Sequence, residues 1–278
     1  MNRTSDIRID VDGVLRQRVP RYYRYIPGFA IRWLERTICQ DRMNDMLERN
    51  SGKTDADFCR GVISYLNVKY DVSGKENLPS GDCRRVVFVS NHPLGGLDGM
   101  IMIDYVSSLY GGKVGFVVND LLMAITPLSG TFLPINKHGK QSRKSSMTLD
   151  AAFAGDDPII IFPAGLVSRR GKDGRIEDLE WRKMFVNKCV EYHRDVIPVY
   201  FDGENSAFFY KFAKFRTRIG LKFNIEMIYL PREVFLSENK RYAIKIGKPV
   251  PWESLESGSR AAGQAERIKR IVYNLKNS

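Results

Sequence analysis

Short apolar runs alternate with amphipathic stretches along most of this chain. Runs near 68–73, 85–90, 114–118, 131–135, 158–162, 195–201 and 241–246 have the length and composition of buried strands. Stretches near 98–110, 143–154 and 177–193 instead space their apolar residues as helices do. This alternation predicts an α/β fold, a mixed, mostly parallel sheet flanked by helices. Upstream the pattern changes. Residues 1–20 are polar and short of large apolar side chains, and Ile31, Leu34, Ile38, Met43, Met46 and Leu47 then form a broken helical stripe over 29–49. Ser51-Gly52-Lys53-Thr54 interrupts it, with Thr54 placed to cap a second helix from Asp55 to Leu66. The expected organisation is a helical segment over 1–65 suited to membrane or acceptor contact, an α/β core over 66–252, and a C-terminal part over 253–278 with a basic helix near 262–276.

Composition adds one departure from the ordinary. An apolar content of 43% with 27% charged residues is typical of a globular chain, but 44 Lys and Arg against 32 Asp and Glu leave a net charge of +12. That excess points to a negatively charged partner: nucleic acid, anionic lipid or an acidic carrier protein. No apolar stretch approaches the ~18 residues of a spanning helix, and the polar start Met1-Asn2-Arg3-Thr4-Ser5-Asp6 is unlike a signal peptide. A cytoplasmic protein is expected. Cys39, Cys59, Cys83 and Cys189 lack any C-x-x-C pairing, so reduced structural thiols are expected rather than zinc or disulfides. His138 and His193 have no partner pattern and are read as surface or helix-end residues.

Two regions have the makings of a membrane surface. Pro20 to Leu34 sets Arg21, Arg24 and Arg32 among Tyr22, Tyr23, Tyr25, Phe29 and Trp33. Ala207 to Phe223 spaces Phe208, Phe212, Phe215 and Ile219 helically, flanked by Lys211, Lys214 and Arg218. Aromatic groups that sink to the acyl boundary beside cations at headgroup level suit an interfacial helix; the alternative is a core-facing stripe with a solvated basic face.

The strongest chemical signal follows the run Val86-Val87-Phe88-Val89, in the segment Asn91-His92-Pro93-Leu94-Gly95-Gly96-Leu97-Asp98-Gly99. A strand ending in a His, then a glycine turn, then a carboxylate opening a helix, can mount a general base. Gly95 and Gly96 can adopt backbone angles closed to other residues, letting Asp98 fold back to His92. A carboxylate on one ring nitrogen fixes the tautomer and leaves the other to take a proton from a hydroxyl. The same residues could serve structurally, with His92 satisfying a strand end and Asp98 capping a helix.

Further blocks stand downstream. They are Gly130-Thr131-Phe132-Leu133-Pro134-Ile135-Asn136, then Phe162-Pro163-Ala164-Gly165-Leu166-Val167-Ser168-Arg169, then Val196-Ile197-Pro198-Val199. Together the four blocks, in order over about residues 66–252, resemble the glycerolipid acyltransferase superfamily, which includes 1-acylglycerol-3-phosphate acyltransferases. Five residues separate His92 from Asp98, Pro93 to Leu97, where that superfamily usually has four. The longer form is similar to the hemolysin-related branch, whose members O-acylate lyso-aminolipids such as lyso-ornithine lipid. The resemblance implies transfer of a fatty acyl group from acyl carrier protein or coenzyme A thioester to a lyso-lipid hydroxyl. No metal or bound cofactor is implied. His92 would be the base and Asp98 its orienting partner. Substrate contacts would come from Asn91, Gly95, Gly96, Asn136, Lys137, Phe162, Pro163, Ala164, Gly165, Ser168, Arg169 and Arg170. Backbone amides around Gly165 and in the Gly95-Gly96 turn both remain open as donors to the oxyanion. An acidic carrier protein and an anionic membrane surface, at the cytoplasmic face of the inner membrane, would suit the positive charge.

Two departures narrow the acceptor. Phosphate-binding members carry an Arg near the end of the second block, where Asn136 and Lys137 stand here. In the third block Ala164 and Leu166 replace a Glu and a Thr, so hydrogen bonds to a glycerol phosphate are lost. Arg169 and Arg170 remain to hold a carboxylate or phosphate, which favours a lyso-aminolipid.

Rival readings are weaker. Asp10-Val11-Asp12-Gly13-Val14-Leu15 matches the aspartate loop of haloacid-dehalogenase phosphatases, but Asp6-Ile7-Arg8-Ile9 is too short and polar for the buried strand that loop requires, and Lys172 and Asp156-Asp157 complete it only by free choice. Basic charge among aromatics could serve single-stranded nucleic acid, yet it is dispersed and no binding module is present, so no nucleic acid is expected. Gly139-Lys140-Gln141-Ser142 lacks the spaced glycine of a P-loop.

Overall fold

The computed structural model describes residues 8–79, 85–119, 122–123, 125–135, 143–221 and 223–277. Strands β1 (Lys69–Ser73), β2 (Val86–Ser90), β3 (Gly115–Asn119), β4 (Phe132–Ile135) and β5 (Ile159–Ile161) lie within a residue of the predicted runs. So do β8 (Asp195–Asp202) and β9 (Arg241–Ile246), whereas β6 (Arg169–Arg170) and β7 (Ile176–Glu177) form a separate antiparallel pair. The helices are α1 (Val11–Arg18), α2 (Pro20–Tyr23), α3 (Gly28–Thr37), α4 (Gln40–Arg49), α5 (Asp55–Tyr65), α6 (Leu97–Tyr110), α7 (Arg143–Ala154), α8 (Met184–Glu191), α9 (Ala207–Arg218), α10 (Leu230–Phe235) and α11 (Ala261–Asn274).

The main sheet runs in the order β1-β9-β8-β2-β5-β3-β4. From β8 to β4 the strands are parallel; β9 is antiparallel to β8, and β1 pairs parallel with β9. The sheet is thus mixed and mostly parallel. Strand β2 is central and buried along its whole length, which is why Val86 to Val89 form an unbroken apolar run. Its side chains alternate between two cores. Val86 and Phe88 join Phe58 and Val62 of α5 and Ile101 of α6, while Val87 and Val89 join Phe153 of α7, Phe185 of α8, and Ile268 and Val272 of α11. Helix α11 buries Ala261, Ala265, Ile268 and Val272, a single face at helical spacing.

Four local expectations change. Residues 11–18, read as part of a polar stretch, form α1, capped by the Asp10 side chain on the Gly13 amide. The 29–49 stripe is two helices, because Cys39 adopts a left-handed φ of 54° and turns the chain there. Thr54 occupies the position before α5 but makes no side-chain cap bond. The predicted helix over 177–193 begins only at Met184, because Ile176 and Glu177 pair in β7 and Asp178 folds to Trp181, whose Nε1 donates to its Oδ2 at 2.9 Å. Asp10 caps a helix and Asp12 lies in its first turn, and the described residues just before them, Arg8 and Ile9, are not in a strand.

One fully buried cation fixes the end of α7. Arg194 donates to the carbonyls of Phe153 (2.7 Å) and Ala152 (3.0 Å), oxygens that a helix C-terminus leaves without intrahelical partners, and to those of Gly155 (2.6 Å) and Asp157 (2.9 Å) just beyond it. Burial, with Arg85 nearby, pulls its pKa down to about 10, still charged at neutral pH. Arg194→Met would strand these carbonyls at about 1 kcal/mol or more each. The expected result is a loss of about 4 kcal/mol or more, read as a lowered urea midpoint.

Candidate active site

The register that sets Val89 opposite Ile161 carries β2 and β5 out of the sheet side by side. Just past their ends the His92 ring stacks on Phe162 with centroids 4.2 Å apart and planes 17° from parallel. This is the carboxyl end of the parallel strands, the usual place for a site in an open α/β sheet. The chain after His92 then doubles back at Gly95, which has a φ of 78°. A Cβ there would lie 2.9 Å from Leu230 Cδ2 and 3.2 Å from Val167 Cβ, so both conformation and space require glycine.

The turn brings Asp98, in the first turn of α6, to the imidazole. Its Oδ2 lies 2.9 Å from His92 Nδ1 and also accepts the Leu94 amide at 2.9 Å. Oδ1 accepts the amides of Gly96 (3.0 Å) and Gly99 (2.9 Å). Asp98 is fully buried and the His92 side chain is 16% exposed. Burial works against charge on Asp98, but the facing imidazole and the Leu94 and Gly99 amides outweigh it and hold the carboxyl below its usual range. Burial likewise opposes a charge on His92; the Asp98 charge and hydrogen bond more than offset it, raising the imidazole above its ordinary value. An ionised carboxylate only accepts, so the Nδ1 proton points at Asp98 and Nε2 is the nitrogen left for proton transfer.

The other predicted contacts divide. Asn91 is committed to the fold: its Nδ2 donates to the Phe201 carbonyl and its Oδ1 accepts the Phe201 amide, tying β2 to β8. Ser168 is buried and donates its hydroxyl to Asp178 at 2.6 Å, so it is not open to substrate. Ala164 packs in the core with Val87 and Val89, and the Pro163 carbonyl accepts the Arg182 amide. Of the amides considered for the oxyanion, that of Gly96 is committed to Asp98 and that of Gly165 to the Phe162 carbonyl. Arg169 spans 2.7 Å to Glu226, a fully buried carboxylate that Arg216 Nε also approaches to 3.0 Å, at an angle unsuited to a hydrogen bond. Arg169 also donates to the Val167 and Ser168 carbonyls and to Met227 Sδ, and it lies over the Phe209 ring at 5.5 Å. Arg170 differs: it is exposed, its guanidinium 5.4 Å from the Tyr210 ring centre. Asn136, Lys137, Cys83, His138 and the segment 139–142 lie outside the described residues. Cys39, Cys59 and Cys189 are free thiols, and His193 is exposed and stacks on Trp252.

Three polar residues that shape the site carried no sequence signal, because each acts over a long separation. Asp178 accepts the His92 amide at 3.1 Å across 86 residues. Asn205 donates to the Pro93 carbonyl at 3.1 Å and its own amide bonds the Tyr210 hydroxyl. Glu226 is the partner of Arg169.

A proton acceptor backed by a buried carboxylate suits activation of a hydroxyl for acyl transfer. The profile of a protein family described as "Acyltransferase" matches residues 13–278 of this chain. The chain belongs to that acyltransferase family. It is 43% identical over 275 residues, 99% of its length and all of the relative's, to the lyso-glycine lipid O-acyltransferase of Bacteroides thetaiotaomicron. To the protein of the same name from Phocaeicola vulgatus it is 42% identical over 276 residues, covering 99% of this chain and 98% of the relative. A crystal structure of the 1-acyl-sn-glycerophosphate acyltransferase PlsC from Thermotoga maritima is similar at 18% identity and a TM-score of 0.45, over 94% of this chain and 84% of that one. Among the acyltransferase's described residues no helix is long and apolar enough to cross a membrane, and no group of three His, Cys, Asp or Glu residues could hold a metal.

Proposed function

We propose that this acyltransferase esterifies the hydroxyl of a lyso-glycine lipid, an N-acylated glycine whose 3-hydroxy acyl chain presents that hydroxyl. The donor in this reading is an acyl thioester of carrier protein or coenzyme A. The supporting observation is the near full-length identity of 43% to a lyso-glycine lipid O-acyltransferase. His92 Nε2 takes the hydroxyl proton as the oxygen attacks the thioester carbonyl. The tetrahedral intermediate collapses, the C–O bond is kept, the C–S bond breaks, and the proton passes to the departing thiolate. Asp98 stabilises the transient imidazolium throughout. Of the two arginines considered for the glycine carboxylate, Arg170 is the better receptor, because Arg169 already pairs with Glu226. Arg170 rests on Tyr210, whose hydroxyl meets Asn205, which in turn grips Pro93 beside His92.

The acceptor is a lipid, and the aromatic surface suits delivery from a bilayer on the cytoplasmic side, where the thioester donors are found. Tyr22, Tyr25, Phe29 and Trp33 are exposed, as are Phe208, Phe215, Ile219 and Phe223. The two groups join at Tyr229, whose ring meets Trp33 at 6.5 Å, Phe208 at 4.9 Å and Phe212 at 5.3 Å. Helix α9 buries Phe209, Tyr210 and Ala213 and turns Phe208 and Phe215 outward. Arg24 and Arg232 lie over Tyr25 and Phe208, as cations at headgroup level would.

The test supplies anionic vesicles containing lyso-glycine lipid with carrier-protein or coenzyme A thioester in turn. A product heavier by one acyl chain is expected from at least one donor. Salt should weaken vesicle binding, since each Lys or Arg near the surface contributes about 1 kcal/mol. Phe208, Phe212 and Phe215 together changed to Ser should reduce sedimentation with vesicles at an unchanged melting temperature. Absence of an acylated product with both donors would contradict the activity, and an early-melting triple variant would return these rings to the core.

A further inference from the structure

His92 is held not only through its ring but through its main chain. The His92 amide donates to Asp178 Oδ1 at 3.1 Å, and the His92 carbonyl accepts the Ser168 amide at 2.8 Å. The Ser168 hydroxyl donates to the same Asp178 Oδ1 at 2.6 Å, closing a ring of three hydrogen bonds through His92, Asp178 and Ser168. Trp181 Nε1 donates to Asp178 Oδ2 at 2.9 Å, so the carboxyl faces three groups able to donate, an arrangement that favours the ionised form. Helix α11 fixes the backbone of Asp178 from behind. Its amide donates to the Tyr273 hydroxyl at 2.6 Å, and its carbonyl accepts Lys269 Nζ at 2.8 Å.

We propose that Asp178 is a positioning residue for the acyl transfer, clamping the main chain of the His92 base between the third-block loop and the C-terminal helix. The inference rests on the reading of His92 as the base. It goes beyond the four blocks, because Asp178 lies in none of them. The clamp gives a reason for a buried carboxylate so close to the dyad. A carboxyl that is 5% exposed is expensive to ionise unless donors surround it, and three do. Its charge also bears on the imidazole. Asp98 from α6 and Asp178 both favour protonated His92, and Arg169 from β6 opposes them. Burial pushes the Asp178 carboxyl up, against its three donors, so acidification weakens the clamp as well as the base.

The decisive variant is Asp178→Asn, which keeps the size and an acceptor oxygen but removes the charge. We expect kcat to fall tens- to hundredfold, the scale of a base displaced by about 1 Å, with the KM for acceptor little changed. The acid limb of kcat/KM should move to lower pH, because one of the two negative charges favouring protonated His92 is gone. A fold-only role would lower the melting temperature and leave the kcat of the folded protein at the parent value. Should the amide fail to fold beside Trp181 Nε1, Ser168→Ala removes a single hydroxyl from the ring and should still lose severalfold in kcat. A folded Asp178→Asn protein with wild-type kcat overturns the proposal, as does wild-type kcat in Ser168→Ala. Activity in folded His92→Ala would instead remove the base assignment itself, so the two failures are distinct.

Discussion

His92→Ala is expected to lose about two to four orders of magnitude in turnover, the usual scale for removing a general base, while melting close to the parent. The reason is local. Nδ1 is fixed on Asp98 at 2.9 Å, the ring is stacked on Phe162, and the main chain is bonded on both sides. No other described histidine is near: His193 stands on Trp252 at the end of α8. Asp98→Asn should be impaired almost as severely, and its pH profile carries the sign of the interaction. In the proposed mechanism the neutral imidazole is the working form, and Asp98 raises its pKa above the ordinary ~6.5, so parent activity is expected to fall as pH drops through that raised value. With the carboxylate gone, burial dominates and favours the neutral ring. The acid limb of kcat/KM then shifts to lower pH while the plateau falls, because the tautomer and orientation are no longer fixed. A folded His92→Ala enzyme with near-normal turnover would contradict the assignment.

The central parallel strands were legible because β2, β5 and β8 are buried on both faces and read as short apolar runs, β2 most plainly. The dyad was legible because His92 and Asp98 lie six residues apart with the glycines between them, so local pattern and chemistry coincide. What escaped has a common physical cause. Asp178, Asn205 and Glu226 are polar residues in connections, without period, and their partners are separated by 86, 112 and 57 residues. The same holds for Arg194, whose carbonyl partners in and after α7 lie about 40 residues upstream. Arg169 and Ser168 were assigned to substrate because a sequence shows a donor but not what already accepts from it. The β6–β7 pair was missed because strands of two residues carry no alternation.

The second large effect concerns the acceptor. A lyso-phosphatidic acid headgroup would meet neither the Glu nor the Thr of the phosphate-binding members, since Ala164 is packed in the core and Leu166 has no donor. Arg169 is tied to Glu226, so in the proposed reading the singly charged, planar carboxylate of glycine is matched by the exposed Arg170. Each charge-assisted hydrogen bond is worth about 1.5–3 kcal/mol, so two lost contacts amount to about 3 kcal/mol or more, a hundredfold or greater in preference. Arg170→Ala should erode that preference while leaving hydrolysis of the thioester in the absence of acceptor unchanged. The most direct measurement is competition at equal concentrations of lyso-glycine lipid and lyso-phosphatidic acid, with one acyl thioester and the product ratio read at early time. Acylated glycine lipid should dominate by about a hundredfold or more; a ratio favouring phosphatidic acid would contradict the account.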